Sequence, residues 1–118
     1  MVKVVIGDRM GKGQNIAKGI EAAGGVAIVI PGMAADMRLG DVMNREQAEL
    51  GLSFCGSGGA GALTAANKYK YTERHGMRSV QEGITAINDG IKVLGFGFMD
   101  TEELGRSLVE AYNKKFGV

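Results

Sequence analysis

The chain has one cysteine, one proline, no tryptophan and no excess of charge, and each of these limits what it can be. A single cysteine excludes an internal disulfide and is typical of a reducing compartment, so we expect a cytoplasmic protein. The 14 basic and 13 acidic residues leave a formal charge of +1, which argues against a nucleic-acid partner. No apolar run approaches the length of a membrane span, and we expect no membrane insertion.

Short apolar runs alternate with helical patterns along all 118 residues. Strands uninterrupted by polar residues, each followed by a helix, are typical of a parallel sheet covered on both faces. We therefore predict a single α/β domain over residues 1–118, a three-layer Rossmann-like sandwich with a five-stranded, mostly parallel sheet. The predicted strands are 2–6, 26–30, 50–54, 77–80 and 91–98, and the predicted helices are 14–23, 41–48, 60–69, 81–88 and 102–114.

Three loops of this predicted sheet have unusual chemistry; they read GDRMGKG, CGSGGAG and GFGFMDTEE. All three follow strands, at the edge where ligands bind in parallel sheets. Glycines allow a ligand to approach the backbone and leave N–H groups free for an anion. Gly56, Gly58 and Gly59 are therefore candidate anion-binding residues. The alternative is that small residues let the helix at 60–69 lie close to the sheet.

Two of these loops resemble nucleotide-binding motifs only superficially. GSGGAG satisfies G-x-G-x-x-G, but it follows the third strand, and the chain has room for half a dinucleotide fold. GDRMGKG is too short for a phosphate loop, and no Ser or Thr follows Lys12. Nucleotide binding is kept as a distant alternative, and no cofactor is expected.

Cys55 stands at the end of a strand and just before a predicted helix. Free cysteines are often buried and inert. A helix N-terminus, however, lowers the pKa of a thiol and makes the thiolate available as a base or nucleophile. Both interpretations of Cys55 remain open. No spacing of His, Cys and Asp indicates a metal site, and we expect none.

The segments GLSFCGSGGAGALTAANK, KVLGFG and EELGRSLVEAYNKKF resemble the type B ribose-5-phosphate isomerases and the galactose-6-phosphate isomerase subunits. SFCGSGGAG and the chain length are similar to the glycine-rich SFCGS family of small bacterial proteins. The resemblance implies a fold like that of the type B isomerases and, since those enzymes place a second subunit against the site, a homodimer.

The resemblance also implies roles for individual residues. Cys55 falls on the catalytic base that moves a proton between adjacent sugar carbons, and Ser57 falls on a hydroxyl that orients the substrate. Asp8 falls on an aspartate that contacts the sugar, and Arg9 replaces a histidine. The glycines of the CGSGGAG loop fall on backbone N–H groups that stabilise an oxyanion. Arg9 or Lys12 is the expected receptor of an anionic group.

Some positions depart from the isomerase pattern. Asn88 and Asp89 stand where the isomerases carry a His-Asn pair that helps open the sugar ring, and Phe98 replaces an arginine. His75 either compensates for the missing histidine or is a solvated loop residue. The chain is thus expected to bind a small phosphorylated or acidic carbohydrate as a non-catalytic subunit of sugar metabolism or uptake, or as a carrier whose thiol accepts a phosphoryl group. The alternative is an aldose–ketose isomerase with Cys55 as base.

Overall fold

Residues 1–117, which the computed structural model describes, form five strands and five α-helices. A 3-10 helix at Ala35–Arg38 precedes the second α-helix. The strands are β1 (Lys3–Asp8), β2 (Val26–Val29), β3 (Leu50–Phe54), β4 (Glu73–Met77) and β5 (Val93–Phe96). The α-helices are α1 (Gln14–Ala22), α2 (Leu39–Glu46), α3 (Ala60–Tyr69), α4 (Val80–Asn88) and α5 (Glu102–Phe116).

The strands pair in the order β2-β1-β3-β5-β4, and every neighbouring pair is parallel. This confirms the predicted Rossmann-like α/β sandwich, with a sheet that is parallel throughout. From β1 the chain first turns to β2 at one edge and then returns to β3 on the other side of β1. Such a reversal opens a crevice between the carboxyl ends of β1 and β3, where ligands bind in folds of this kind.

Two hydrophobic cores lie on opposite faces of the sheet. Side chains alternate along each strand, so that Ile6 enters one core and Val5 the other. The core against α1, α4 and α5 contains Ile6, Ile16, Ile20, Phe54, Phe96, Leu104 and Leu108. The core against α2 and α3 contains Val5, Leu39, Met43, Ala62, Ala65 and Val93. Burial on both faces explains why the central strands are mainly apolar.

The fourth strand was predicted at 77–80 and is instead Glu73–Met77. β4 lies at the edge of the sheet, where charged side chains stay in contact with water, so the strand has no continuous apolar run. A register shift between Arg74 and Met77 further interrupts its pairing with β5. As a result Arg78 follows the strand, at its carboxyl end, and Ser79 caps helix α4 by accepting a hydrogen bond from the Glu82 N–H.

Helices α1 and α5 cross in backbone contact. A Cβ at Gly19 would overlap the carbonyl oxygen of Glu102, and a Cβ at Gly105 would overlap that of Ile16. The two glycines therefore allow the helices to approach more closely than any side chain would permit.

We expect Gly105→Ala to lower the free energy of unfolding by about 1–3 kcal/mol, because the added methyl group forces the helices apart. Helix propensity alone would stabilise the variant by about 1 kcal/mol. A lower free energy of unfolding would therefore show the effect of the helix packing. Urea unfolding measures it, with Gly56→Ala as the control, since the nearest atom to a Cβ there is 3.8 Å away on Phe98. An unchanged or higher urea midpoint for Gly105→Ala would contradict this view of the crossing.

Candidate functional site

Cys55 lies directly after β3, at the crevice between the carboxyl ends of the central strands. The Arg9 N–H donates to the Phe54 carbonyl at 2.8 Å, which fixes the end of β1 beside the cysteine. On the other side, the Cys55 N–H donates to the Phe96 carbonyl of β5 at 3.3 Å. The thiol is therefore at the point where the topology predicts a ligand site.

The sulfur of Cys55 is buried, with 4% of the residue exposed, and is a hydrogen-bond acceptor for the loop that follows it. The N–H groups of Gly59 and Ala60 donate to Sγ at 3.2 and 3.3 Å, and the Ser57 hydroxyl lies 3.1 Å from it. Burial raises the pKa of the thiol, but the hydrogen bonds from Ser57, Ala60 and Gly59 outweigh it, and the net pKa is lowered. The N-terminus of α3 thus stabilises a thiolate.

The glycines of the CGSGGAG loop differ in how strongly the backbone and its packing require glycine. Gly58 and Gly59 have φ values of 100° and 94°, which favour glycine. A Cβ at Gly59 would overlap the backbone of Gly95, and one at Gly58 would stand 2.7 Å from the Cα of Gly76. Close packing of α3 and its loop on the sheet accounts for both residues. Gly56 is exposed and has no such contact. Ligand binding by the three glycines stays a prediction.

Arg9 is held by Asp36, a residue that the sequence analysis missed. The Asp36 carboxylate is fully buried and accepts from Arg9 Nε (Oδ1) and Nη2 (Oδ2), both at 2.9 Å. This hydrogen-bonded pair raises the pKa of Arg9, and the negative charge of Cys55 adds to the rise. The Arg9 side chain remains 43% exposed, so a ligand can still reach it. The only sequence signal for Asp36 was an acidic residue among small apolar ones.

The two other predicted anion-site residues of the first loop are Asp8 and Lys12. Asp8 is 1% exposed, and its Oδ1 accepts the Met10 N–H at 2.7 Å, which shapes the loop. By the alternation of β1, Asp8 shares the face of Ile6, the opposite face from Arg9. Lys12 is exposed in the same loop. Contacts of Asp8 and Lys12 with a ligand remain predictions.

The N-terminus of α1, which follows this first loop, already holds a carboxylate. Asp100 Oδ1 accepts the N–H groups of Asn15 and Ile16 at 3.2 and 3.1 Å. Asp100 comes from the loop after β5, so it ties that loop to the start of α1. The anion-binding end of α1 is thus filled by the protein itself.

The positions that depart from the isomerase pattern lie at three places. Asn88 ends α4 and Asp89 pairs with Arg74 at 2.9 Å, both before β5, at the amino edge of the sheet and away from Cys55. His75 is on β4, with Nδ1 2.9 Å from the Glu73 carboxylate, and its side chain is 46% exposed. Phe98 is 53% exposed after β5. Within one chain, residues 88 and 89 cannot act on a ligand at Cys55.

Arg78 is a second residue that the sequence analysis missed, because the predicted strand at 77–80 would have enclosed it. Its guanidinium Nη1 occupies the space over Gly97, 2.9 Å from the point where a Cβ of that glycine would stand. Gly97 directly follows β5, so Arg78 belongs to the same edge of the sheet as Cys55. The usable signal was the S-x-x-E capping pattern that begins at Ser79 and marks the end of the preceding loop.

A cavity is present at the edge of the sheet opposite to Cys55. This cavity, of about 300 Å³ at the amino edge, is lined by Glu49, Thr72, Lys92, Tyr112 and Phe116, among others. Among residues 1–117, no three His, Cys, Asp or Glu side chains are placed to hold a metal ion. No helix in the same range is long and apolar enough to cross a membrane.

We expect the rate of Cys55 alkylation to rise with pH around a midpoint below that of the same cysteine in the urea-unfolded chain, because the folded thiol has the lower pKa. Ser57→Ala removes one hydrogen bond to Sγ, so its midpoint should move to higher pH. Iodoacetamide labelling followed by mass spectrometry gives both curves. Thr64→Ala, an exposed position on α3, is the control and should leave the midpoint unchanged. Equal midpoints for folded and unfolded wild type would refute the stabilised thiolate.

Several solved structures share this fold at low sequence identity. The type B ribose 5-phosphate isomerase of Trypanosoma brucei has a TM-score of 0.68 and 18% identity, over 95% of this chain and 85% of that one. Ribose-5-phosphate isomerase B of Clostridium thermocellum has 0.66 and 16%, over 96% and 84%. The Mycoplasma genitalium enzyme, solved with bound ribulose-5-phosphate, has 0.66 and 14%, over 96% and 84%. The likeness confirms the predicted type B isomerase-like fold.

A search of curated proteins gave no match. The sequence profile of the glycine-rich SFCGS family matches residues 2–115, which is nearly the whole chain. The resemblance seen in SFCGSGGAG is therefore confirmed, and the chain belongs to the glycine-rich SFCGS family.

Proposed function

We propose that this protein binds a small phosphorylated or acidic carbohydrate at the Cys55 loop, in the cytoplasm, as a non-catalytic binding or carrier subunit of sugar metabolism or uptake. The proposal rests on the burial and the hydrogen bonds of the Cys55 thiol. Its sulfur is buried and accepts hydrogen bonds from the two N–H groups at the start of α3. It therefore helps to hold the loop of the site in its conformation. Ligand contacts are therefore expected mainly from the protein groups around it.

The location and ligand class have separate support. The Cys55 loop lies at the switch point of the sheet, where ligands bind. An isomerase of the same fold was solved with a bound sugar phosphate, ribulose-5-phosphate. Arg9, Lys12 and Arg78 lie in loops at the same edge of this chain and supply positive charge for an acidic group.

The placement of residues 88 and 89, which stand where the isomerases carry their ring-opening pair, supports a binding role over a catalytic one. Asn88 and Asp89 lie at the amino edge and have no imidazole between them. A thiolate with three hydrogen-bonding neighbours is also a weaker base than a free one, because the same contacts that lower its pKa stabilise its charged form.

One observation favours the alternative of an aldose–ketose isomerase. The lowered pKa of Cys55 leaves more of the thiol ionised at a given pH than in a free cysteine, and the Ser57 hydroxyl lies 3.1 Å from the sulfur. With an open-chain sugar phosphate, Cys55 would remove a proton from the hydroxyl-bearing carbon beside the carbonyl to give an enediolate, and return it to the former carbonyl carbon. The hydroxyl proton would pass to the former carbonyl oxygen, so that carbonyl and hydroxyl exchange places. Ser57 would hydrogen-bond to the oxygen of the enediolate. No ring-opening step is required for such a substrate.

Nucleotide binding has less support than either role. In a dinucleotide fold the pyrophosphate binds the N–H groups at the start of the helix after the glycine loop. Here Gly59 and Ala60 donate those groups to Cys55 Sγ. The glycines that satisfy the motif also pack against the sheet.

We further propose that the protein is a homodimer whose interface includes the carboxyl edge. Large apolar side chains are exposed there: Met10 at 50% on the first loop, Leu63 at 44% on the first turn of α3, and Phe98 at 53% after β5. Exposed apolar residues that cluster at one edge are typical of an interaction surface.

A thermal-shift screen tests the binding proposal. Ribose 5-phosphate, other pentose and hexose phosphates and sugar acids should raise the melting temperature, since a ligand at 100 times its Kd adds about 2.7 kcal/mol of stability. Arg9→Ala should weaken the shift, and Arg45→Ala on the distant end of α2 should not. A shift with NAD and none with any phosphorylated or acidic sugar would reject the proposal.

Hydrogen exchange at the sugar distinguishes the two roles. For a binding subunit, incubation of ribose 5-phosphate with the protein in deuterium oxide should leave the proton at carbon 2 in place by NMR. Deuterium at carbon 2 that is lost in Cys55→Ala and kept in the Thr64→Ala control would establish the isomerase alternative instead.

Light scattering coupled to size-exclusion chromatography tests the dimer. The wild type should elute with twice the chain mass, and Leu63→Glu should shift the mass toward a monomer, because it places a charge in the proposed apolar interface. Phe116→Glu changes an equally exposed residue at the amino edge and should leave the dimer intact. A monomeric wild type at micromolar concentration would rule the dimer out.

A further inference from the structure

We propose that Arg78 provides the guanidinium that binds the acidic group of the ligand. The inference rests on the binding function proposed above and identifies the residue that recognises the charge. It assigns the anion to the β4 side of the site, where the Gly76 N–H donates to the Gly58 carbonyl of the glycine loop at 2.7 Å.

The position of Arg78 follows from the carboxyl ends of three neighbouring strands. The Gly97 N–H donates to the Met77 carbonyl at 3.0 Å, so the residue after β4 stands beside the residue after β5. Phe96, the residue before Gly97, accepts the N–H of Cys55. The guanidinium of Arg78 over Gly97 is therefore one strand away from the thiol.

Several other positive groups at this edge already have partners in the protein, whereas Lys12 is exposed in the first loop. Arg9 is bound by the buried carboxylate of Asp36 through both of its oxygens. The N-terminus of α1 holds Asp100, and that of α3 holds the sulfur of Cys55. Within residues 1–117, the ion pairs formed by arginines are Arg9–Asp36, Arg45–Glu46 and Arg74–Asp89. Arg78 forms none with the described carboxylates, so its charge is available to a ligand.

Gly97 has no side chain, and the Arg78 guanidinium lies over it. A Cβ on that residue would stand 2.9 Å from Arg78 Nη1, closer than ordinary van der Waals contact, so an alanine there would make the guanidinium move. A guanidinium is suited to a phosphate or carboxylate because it can donate two parallel hydrogen bonds.

Isothermal titration with ribose 5-phosphate and with inorganic phosphate tests the assignment. Arg78→Ala should weaken the binding of ribose 5-phosphate by tenfold or more, as expected for loss of a charge-assisted hydrogen bond of about 1.5–3 kcal/mol. Arg78→Lys keeps the charge without the fork and should bind with intermediate affinity. Arg45→Ala, 69% exposed at the opposite edge, is the matched control and should bind as the wild type does.

Gly97→Ala displaces the guanidinium without removing its charge and should also weaken binding, with circular dichroism and urea unfolding confirming that each variant is folded. If Arg78→Ala binds ribose 5-phosphate as tightly as the wild type, the assignment of Arg78 is wrong and the binding function stands. If the wild type binds none of the sugar phosphates and sugar acids of the thermal-shift screen, the binding function fails and the role of Arg78 fails with it.

Discussion

Helix α3 rests directly on the sheet, and this backbone contact determines the candidate site. A side chain at Gly59 would overlap the backbone of Gly95 in β5, and one at Gly61 would overlap the carbonyl of Asp36 and approach the Ser53 hydroxyl of β3. The contact sets the height and direction of the helix N-terminus and so points the N–H groups of Gly59 and Ala60 at Cys55. The ionisation of the thiol, the course of the loop and the opening of the crevice all depend on the same close approach.

The carboxyl edge of the sheet is largely neutralised by the protein itself. Asp36 holds Arg9, and Asp100 occupies the start of α1. To detach Arg9 from Asp36, a ligand would have to leave a buried carboxylate without its partner, which is strongly unfavourable. Arg9 is therefore oriented before any ligand arrives, and this preorganisation limits the entropy that binding must overcome.

The fold was predictable because β1 and β3 are buried on both faces and appear in the sequence as short, mainly apolar runs. The position of β4 was not predictable, because an edge strand needs no apolar run. The predicted strand at 77–80 included Arg78, so its place in the loop after β4 was missed. The environment of Cys55 followed in outline from its position before a helix. The pairing of Arg9 with Asp36 could not be predicted, because the two residues are 27 positions apart in the chain. The periodicity of apolar residues does not indicate which distant side chains will meet.

The polar character of β4 has a further consequence for how the protein behaves at high concentration. An edge strand offers unpaired backbone groups to any other chain, and charged side chains and bulges oppose such pairing. Glu73–Met77 has both, since ERHGM includes charged residues and its register shifts against β5. The opposite edge, Val26–Val29, is apolar and only four residues long. The two margins of the sheet thus resist aggregation by different means, one by charge and irregularity and the other by brevity.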